Sequence, residues 1–313
     1  MTCIDNLLTG SQRNIETFVE DPRFRLLEHD VSLALPDDLR ADVIFHLASP
    51  ASVADYLSLP LQTLQVNSLG TLNMLELART TGAKFLFTST SEIYGDPRVH
   101  PQPESYWGNV NPVGPRACYS ESKRFGEAAT FVYVNVYGID ARVVRIFNTY
   151  GPHSRPDDGR IVPNFVSQAL RNEPLTIYGD GSQTRSYCYV SDLVRGIVSA
   201  MFEDGSRGQV FNLGNPDEYT VLEFAEIVAH QVGSTAGFQH LPLPEDDPTQ
   251  RRPDITRARE VLGWQPEVDL ATGIARTIEW FRNLLEMPSP SSRVPERAPA
   301  AGSGHDSEPS LGE

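Results

Sequence analysis

The sequence predicts an α/β protein built on a doubly wound parallel sheet. Short apolar runs, typical of strands that are buried on both faces, alternate with longer helix-like segments. Three such runs lie at residues 41–48, 83–88 and 141–147, and polar residues follow each of them directly. This alternation indicates right-handed βαβ crossovers, in which the carboxyl ends of the strands meet at one edge of the sheet. We therefore expect a ligand site at that edge.

The helices can be placed in chain order. Four leucines at helical spacing lie between the first two apolar runs, and this stripe is expected to end at Gly82, a typical C-cap residue. Further helices are predicted over residues 118–137, 221–231 and 270–285. The leucines of the stripe are Leu61, Leu64, Leu72 and Leu75, with Ser68 in the intervening turn.

Composition excludes several classes of protein. The chain has 313 residues, 40 % hydrophobic and 21 % charged, which is typical of a soluble globular protein. Its net charge of −15 argues against nucleic acid or an anionic membrane as a partner. Cys3, Cys118 and Cys188 are far apart, which disfavours a disulfide framework or a metal site. With no leader-like start and no membrane-length apolar run, we expect a cytoplasmic protein.

Tyr119 and Lys123 form a Y-x-x-x-K pair. A spacing of four places both side chains on one face of a helix. There an ammonium group would favour the phenolate and lower the pKa of the tyrosine towards neutral pH. Such a tyrosinate removes the proton of an alcohol while a hydride leaves the same carbon. The alternative is a chance surface pair.

The stretch Thr88-Ser-Thr-Ser-Glu92 follows a predicted strand, so its hydroxyl groups are expected at the ligand edge. A Thr or Ser there can hold the substrate hydroxyl that Tyr119 deprotonates, and Glu92 could act on a neighbouring group. The alternative is that these side chains only cap the next turn. The Tyr119–Lys123 pair favours the functional interpretation.

These motifs resemble the extended short-chain dehydrogenase/reductase family, and within it the UDP-glucuronate decarboxylases. The resemblance spans most of the chain from Asp5 to about Leu285. Y-x-x-x-K is common to many activities of the family, whereas Y-W-G-N-V-N-P at 106–112 and G-P-R-A-C-Y at 114–119 are narrow signals. Further stretches that carry it are His46-Leu-Ala-Ser-Pro50, Asn67-Ser-Leu-Gly-Thr-Leu-Asn-Met74, Ser89-Thr-Ser-Glu-Ile-Tyr-Gly-Asp-Pro97, Arg145-Ile-Phe-Asn-Thr-Tyr-Gly-Pro152, Asp158-Gly-Arg160, Tyr178-Gly-Asp-Gly-Ser-Gln-Thr-Arg185 and Arg252-Pro-Asp-Ile255.

The resemblance implies roles for individual residues. Tyr119 would be the acid/base, Lys123 its partner and a ligand of the NAD ribose, Thr90 the hydroxyl-binding residue, and Ser91 and Glu92 neighbours of the sugar ring. NAD contacts would also come from Asp5, Asn6, Asp30, Val31, Leu47, Ser49 and Thr149, and UDP-sugar contacts from Asn73, Tyr133, Asn148, Arg160, Asn164, Arg185 and Arg251. For the arginines, the alternative is that they balance acidic neighbours.

The implied reaction is NAD-dependent conversion of UDP-glucuronate to UDP-xylose through a 4-keto intermediate. Related 4,6-dehydratases carry Asp where Ser91 stands, because they must protonate a leaving hydroxyl, and this difference favours decarboxylation. A UDP-sugar 4-epimerase or 4,6-dehydratase is the alternative enzyme. A truncated, inactive UDP-sugar-binding paralogue is the alternative without catalysis. By family analogy the protein is expected to be a homodimer.

The glycine motif G-x-x-G-x-x-G, which binds the pyrophosphate in a Rossmann-like fold, is absent from the sequence. We expect residues 1–165 to form a dinucleotide-binding domain without its first βα unit. Loss of that unit predicts two unpaired strand edges, weak NAD binding and little activity. Residues 166–287 are predicted as an interleaved, smaller α/β substrate domain. Residues 288–313, with five Pro and six Ser, are predicted as a disordered tail.

Overall fold

The computed structural model describes residues 1–286, so the predicted tail lies outside the described residues. The first half of the chain supplies most strands of the parallel sheet and the helices that pack on it. Its elements are β1 (Thr2–Asp5), a 3-10 helix (Gln12–Phe18), β2 (Arg25–Glu28), β3 (Val43–His46), α1 (Val53–Ser58), α2 (Pro60–Gln65), a π-helix (Val66–Gly70), α3 (Thr71–Thr81), β4 (Lys84–Thr90), a 3-10 helix (Ser91–Tyr94), α4 (Ala117–Tyr137), β5 (Ala141–Ile146) and β6 (Thr149–Tyr150).

The second half alternates short strands with helices. One of its strands, β10, returns to the sheet of the first half. Its elements are α5 (Ile161–Leu170), β7 (Leu175–Tyr178), β8 (Thr184–Ser186), β9 (Cys188–Tyr189), α6 (Val190–Phe202), β10 (Val210–Leu213), β11 (Glu218–Thr220), α7 (Val221–Val232), β12 (Phe238–Leu241), α8 (Thr256–Leu262) and α9 (Leu270–Glu286).

The central sheet is parallel and four-stranded, in the order β10-β5-β4-β3. Strand β4 is buried throughout its apolar part, as its continuous run of hydrophobic residues predicts. Helices cover both faces: α3 and α4 pack on one, and α6 and α8 on the other. The fold is therefore the doubly wound α/β architecture that the sequence predicts.

Strands β1 and β2 form a separate parallel pair. Ile4 of β1 packs against the same core cluster as Ile44 of β3, so the pair lies beside the four-stranded sheet. Within residues 1–286, no strand pairs with the second edge of β1 or with the outer edge of β3. This arrangement agrees with the expected pair of unpaired strand edges.

The leucine stripe differs from its prediction. The π-helix at residues 66–70 interrupts it, and a π turn takes one residue more than an α turn. The helical faces before and after the π-helix are therefore out of phase. Leu61 is 69 % exposed whereas Leu75 is fully buried, so the four leucines do not share one buried face. The predicted end is confirmed, because Gly82 caps α3 in the left-handed conformation.

Helix α4 lies close against β4 and thereby fixes the position of the Y-x-x-x-K pair. Gly126 makes this approach possible, because a Cβ atom there would lie 2.3 Å from the ring of Phe87. The helix ends at Gly138, again in the left-handed conformation. Tyr119 and Lys123 occupy its first two turns, beside the end of β4.

A second core lies under the later part of the chain, where α5, α7 and α9 pack together. Helices α6 and α8 instead pack on the sheet, with Trp264 fully buried between them and β10. The segment after residue 165 therefore contributes both to the second core and to the helices that cover the four-stranded sheet. No helix within residues 1–286 is long and apolar enough to cross a membrane.

Candidate active site

Tyr119 and Lys123 are both buried on the face of α4 that packs against β4. The Lys123 ammonium donates a hydrogen bond to the carbonyl of Thr88 at 2.9 Å and lies 5.9 Å from the centre of the Tyr119 ring. It also lies 5.0 Å from the centre of the Phe87 ring. The pair is therefore a buried part of the sheet edge and not a surface contact.

Burial dominates the protonation of this pair. It raises the pKa of Tyr119 to about 12, against smaller lowering effects from a hydrogen bond with Thr90 and from the charges of Arg160 and Arg251. Burial also lowers the pKa of Lys123 to about 7. The expected lowering of the Tyr119 pKa by Lys123 is therefore wrong for this structure. The reason is that the ammonium is itself desolvated and is bonded to a backbone carbonyl.

Thr90 ends β4 and has two roles. Its hydroxyl accepts a hydrogen bond from the Glu92 amide at 3.2 Å and so caps the following 3-10 helix. Its hydroxyl also lies close enough to Tyr119 to lower the pKa of that phenol. Ser91 is buried in the same turn. The capping interpretation of this stretch is thus correct, and it does not exclude the contact with the Tyr119–Lys123 pair.

Glu92 belongs to a chain of charged side chains that crosses the site. Its carboxylate lies 2.7 Å from the guanidinium of Arg251 and 3.5 Å from that of Arg116. Arg116 also pairs with Asp247 at 2.8 Å, and Asp247 pairs with Arg185 at 2.8 Å. Burial raises the pKa of Glu92, but the charges of Arg251 and Arg116 outweigh burial, and its pKa lies below the ordinary value.

Two buried polar atoms next to this chain have no hydrogen-bond partner in the described structure: the Arg251 Nε and the Tyr56 hydroxyl. Arg251 is only 3 % exposed, and Tyr56 only 1 %. The Tyr56 ring stacks on the Tyr119 ring, with the centres 4.9 Å apart and the planes 6° from parallel. Buried polar groups without partners are rare, and such groups indicate a place for a ligand or an ordered water.

Arg160 lies on another side of Tyr119. It precedes α5 and pairs with Asp158, and its charge lowers the pKa of Tyr119. Asn164 in the first turn of α5 donates to the carbonyl of Gly159 at 3.2 Å. These two predicted substrate contacts therefore share one loop and one helix terminus.

A cleft between the ends of β1, β2 and β3 contains most of the residues expected to bind the cofactor. Asp5 lies at the end of β1, where its carboxylate accepts from the Leu7 amide at 2.7 Å and faces the bare Cα of Gly10. The cleft brings together Asp5, Asn6, Asp30, Val31, Leu47 and Ser49. Thr149, the remaining predicted contact, starts β6 and donates to the Phe147 carbonyl at 3.0 Å.

The comparisons with known proteins agree with this architecture. Residues 12–277 match the family described as GDP-mannose 4,6 dehydratase. The chain is 49 % identical to UDP-glucuronic acid decarboxylase 1 of Danio rerio over 296 residues, which covers 95 % of this chain and 70 % of that protein. This chain belongs to the extended short-chain dehydrogenase/reductase family.

Solved structures of this family share the fold. UDP-glucose 4-epimerase from Thermotoga maritima, with UDP-glucose, is 31 % identical, with a TM-score of 0.81 and 91 % of each chain covered. UDP-glucuronic acid 4-epimerase from Bacillus cereus, in complex with UDP-glucuronic acid and NAD, is 28 % identical. Its TM-score is 0.80, and 90 % of this chain and 91 % of that chain are covered.

Two further predicted substrate contacts, Asn73 and Tyr133, lie on helices α3 and α4 of this short-chain dehydrogenase/reductase. Asn73 donates both amide hydrogens to backbone carbonyls, those of Val31 and Leu33, at 2.9 Å each. It therefore fastens the loop after β2 to α3. Tyr133 lies fourteen residues beyond Tyr119 on α4, which is about 21 Å along the helix axis. Both assignments to the substrate site stay predictions.

Three residues of the site were missed in the sequence. Arg116 lies in the G-P-R-A-C-Y stretch, so its motif was visible although its contacts were not. Asp247 belongs to an acidic run that resembles an ordinary solvated loop. Tyr56 carries no sequence signal, because its stacking on Tyr119 depends on the path of α1 past α4. Asn148, by contrast, follows β5 at the expected sheet edge.

Proposed function

We propose that this protein converts UDP-glucuronate to UDP-xylose and CO₂, with NAD as a recycled cofactor. The observation that carries this proposal is Arg251: a buried guanidinium, next to the catalytic turn, with an unpartnered Nε. A guanidinium in such a place suits a carboxylate. The 49 % identity to a UDP-glucuronic acid decarboxylase supports the same substrate.

Tyr119, Thr90 and Arg251 would each have a separate role in the reaction. Tyr119 accepts the proton of the sugar 4-hydroxyl, which Thr90 holds in place. Arg251 binds the carboxylate on C5. Once C4 is a ketone, the carboxylate is β to a carbonyl, so the electrons of the breaking C–C bond pass into that carbonyl and CO₂ leaves. The resulting enolate takes up one proton at C5, and Tyr119 returns its proton to the oxygen on C4.

Tyr119 is protonated at neutral pH in this structure, because its pKa is about 12. It can act as a base only when cations beside it stabilise the phenolate. Arg160 and Arg251 are such cations, and both already lower its pKa. Ser91, in place of a carboxylic acid, offers no strong proton donor for a leaving hydroxyl, and this favours decarboxylation over dehydration.

NAD would occupy the cleft that Asp5 and Asp30 line. The Asp5 carboxylate faces Gly10, where a Cβ would lie 3.3 Å from its oxygens, so an acceptor for ribose hydroxyls is left uncovered. Tyr119 and Lys123 are not part of that lining; they lie at the start of α4, where they would hold the nicotinamide ribose. When bound, NAD accepts a hydride from C4 and returns it. The sequence contains no G-x-x-G-x-x-G run for the pyrophosphate.

Further polar residues around the site suit the nucleotide part of the substrate. Arg160 and Arg185 would hold the diphosphate, since a guanidinium fork matches phosphate oxygens. Their present partners, Asp158 and Asp247, keep both side chains in place. Asn148 and Asn164 would contribute hydrogen bonds, and Thr149 would contact the cofactor.

We infer that the protein forms a homodimer through helices α1, α2 and α4. Each of these helices exposes large apolar side chains. On α4, Phe125, Val132 and Val136 are exposed at helical spacing, and on α1 and α2 Leu57, Leu61 and Leu64 are exposed. Exposed apolar surface of this kind marks an association site. Sedimentation of wild-type protein and of a Leu61→Lys/Val132→Lys variant tests this: the variant should be monomeric, and a monomeric wild type contradicts it.

The three cysteines are free, and Cys188 is buried. This state supports a reducing compartment such as the cytoplasm.

Product analysis tests the proposed activity. Purified protein is incubated with UDP-glucuronate and NAD, and the products are identified by NMR and mass spectrometry. We expect UDP-xylose. UDP-galacturonate, which keeps its carboxylate and is inverted at C4, would instead identify an epimerase. Calorimetric titration with UDP and with NAD is the second arm: binding of UDP without binding of NAD would identify a UDP-sugar-binding protein without turnover.

A further inference from the structure

Arg116 forms contacts that the proposed reaction leaves unexplained. It directly precedes α4, and its side chain is 12 % exposed. Its guanidinium reaches two carboxylates from distant parts of the chain: Glu92 after β4, at 3.5 Å, and Asp247 between β12 and α8, at 2.8 Å. Arg116 therefore links the catalytic turn after β4 to the loop that carries Arg251.

The charges of this cluster do not balance. Arg251, Glu92, Arg116, Asp247 and Arg185 follow one another as alternating charges, joined by ion pairs. Three guanidinium groups face two carboxylates, so the cluster has a net charge of +1. UDP-glucuronate carries anionic groups that would offset this charge, its diphosphate near Arg185 and its carboxylate near Arg251. A buried cluster with uncompensated positive charge favours binding of such an anionic ligand.

The orientation of Arg251 shows where the anion would bind. One terminal nitrogen donates to Glu92 at 2.7 Å and the other to the carbonyl of Gly95 at 3.0 Å. These two bonds fix the guanidinium plane, and the buried Nε is left without a partner. Glu92 therefore decides which edge of Arg251 remains available. The other carboxylate oxygen of Glu92 forms an ion pair with Arg116.

We propose that Arg116 is a positioning residue, which holds Glu92 against Arg251 so that the Arg251 Nε is presented to the carboxylate of the substrate. This inference rests on the proposed function, because it takes UDP-glucuronate as the substrate. Arg116 does not itself contact the substrate carboxylate. Its charge also keeps Glu92 ionised when Arg251 is shared with the substrate. The titratable and charged groups that act on Glu92 are Arg251, Arg116, Arg185, Tyr56 and Tyr119.

A double-mutant cycle tests whether Arg116 acts through Glu92. The variants are Arg116→Met, Glu92→Gln and the combination, and the readouts are kcat and KM for UDP-glucuronate. In the wild-type background we expect Arg116→Met to lower kcat/KM by about 10- to 100-fold, mainly through KM, as for loss of a hydrogen bond to a charged group. In the Glu92→Gln background the further loss should be less than about twofold. Equal losses in both backgrounds would overturn the proposal.

The pH profile separates positioning from a general structural role. Without Arg116, Glu92 loses one of its two nearest cations, so the acid limb of kcat/KM should move to higher pH in Arg116→Met. Arg116→Lys keeps the charge and should leave the acid limb close to its wild-type position. An acid limb that does not move in Arg116→Met contradicts the proposal. If Arg116→Met does not fold, Arg116→Gln replaces it, since glutamine keeps hydrogen-bonding capacity without the charge.

UDP binding is the control for the fold, because UDP has no sugar carboxylate. Its dissociation constant should rise less than that of UDP-glucuronate in Arg116→Met, because Arg116 reaches the diphosphate contact Arg185 only through Asp247. Parallel weakening of both ligands would mean that the site has collapsed and would overturn the positioning role. The wild-type assay separates failure of the proposed function from failure of the Arg116 proposal. If the wild type forms no UDP-xylose, the proposed function is refuted. If it forms UDP-xylose but the effects of Arg116→Met and Glu92→Gln are additive, only the role of Arg116 is refuted.

Discussion

The burial of Lys123 leads to a quantitative prediction, because a buried lysine makes the free energy of unfolding depend on pH. Its pKa falls from 10.5 to about 7 on folding, since burial disfavours the ammonium. Between pH 7 and pH 10.5, Lys123 is protonated in the unfolded chain and mostly deprotonated in the folded chain. Folding stability therefore rises with pH through this window, by about 1.4 kcal/mol per pH unit. The destabilisation is largest below pH 7 and disappears towards pH 10.5.

The magnitude follows from the shift. At pH 7 the buried lysine costs about 4 kcal/mol relative to a neutral side chain, and at pH 9 about 2 kcal/mol. Lys123→Met removes this dependence. It also removes the hydrogen bond to the Thr88 carbonyl, but that loss does not vary with pH. We therefore expect the stability difference between variant and wild type to change by about 2 kcal/mol between pH 7 and pH 9.

The assay is urea denaturation at both pH values, with Lys84→Met as the matched control at a partly exposed site. The sequence contains only two lysines, Lys84 and Lys123. NMR of protein labelled at the lysine ε-carbon therefore gives two signals, and one of them should titrate near pH 7. A difference in stability that is the same at pH 7 and pH 9, or two lysines that both titrate above pH 10, would refute this reasoning.

The other predictions concern stability. Gly126→Ala should destabilise the protein by about 1–3 kcal/mol, because its Cβ would lie 2.3 Å from the Phe87 ring; an unchanged urea midpoint contradicts this packing. Tyr56→Phe should leave stability unchanged or raise it, because its hydroxyl has no partner in the described structure, and a loss above about 1 kcal/mol would reveal an unseen partner. Arg145→Met should cost about 3–5 kcal/mol, because it leaves Glu127 half-buried and unpaired. Rescue by the second substitution Glu127→Leu checks that cause.

The sheet and its covering helices could be predicted because they depend on local patterns. The apolar run at residues 83–88 is β4, and the helix predicted at 118–137 is α4 to within one residue. The leucine stripe failed as a single face because a π turn at residues 66–70 changes the helical phase, and spacing alone does not reveal such a turn.

The site was predicted where short motifs place residues on one element. Tyr119 and Lys123 are of this kind, and so are Thr90 and Glu92. The pKa of Tyr119 was not predictable, since it depends on burial, which sequence spacing does not report. The Arg116–Asp247 contact was not predictable either, because it joins segments 131 residues apart in the chain.

The roles of Asn73 and Tyr133 were assigned by resemblance, and they stay predictions. Asn73 uses both amide hydrogens on backbone carbonyls of the loop after β2. Tyr133 lies on α4, fourteen residues beyond Tyr119. In both cases the sequence identifies the element, whereas the partners of the side chain depend on contacts between elements, which a motif does not report.

The fate of the sugar carboxyl carbon tests the central claim most directly. UDP-glucuronate labelled with ¹³C at C6 is incubated with the protein and NAD, and the reaction is followed by ¹³C NMR. The account predicts that the label leaves the sugar and appears as bicarbonate and CO₂, in step with formation of UDP-xylose. A label that stays in a sugar carboxylate while the configuration at C4 changes would contradict it.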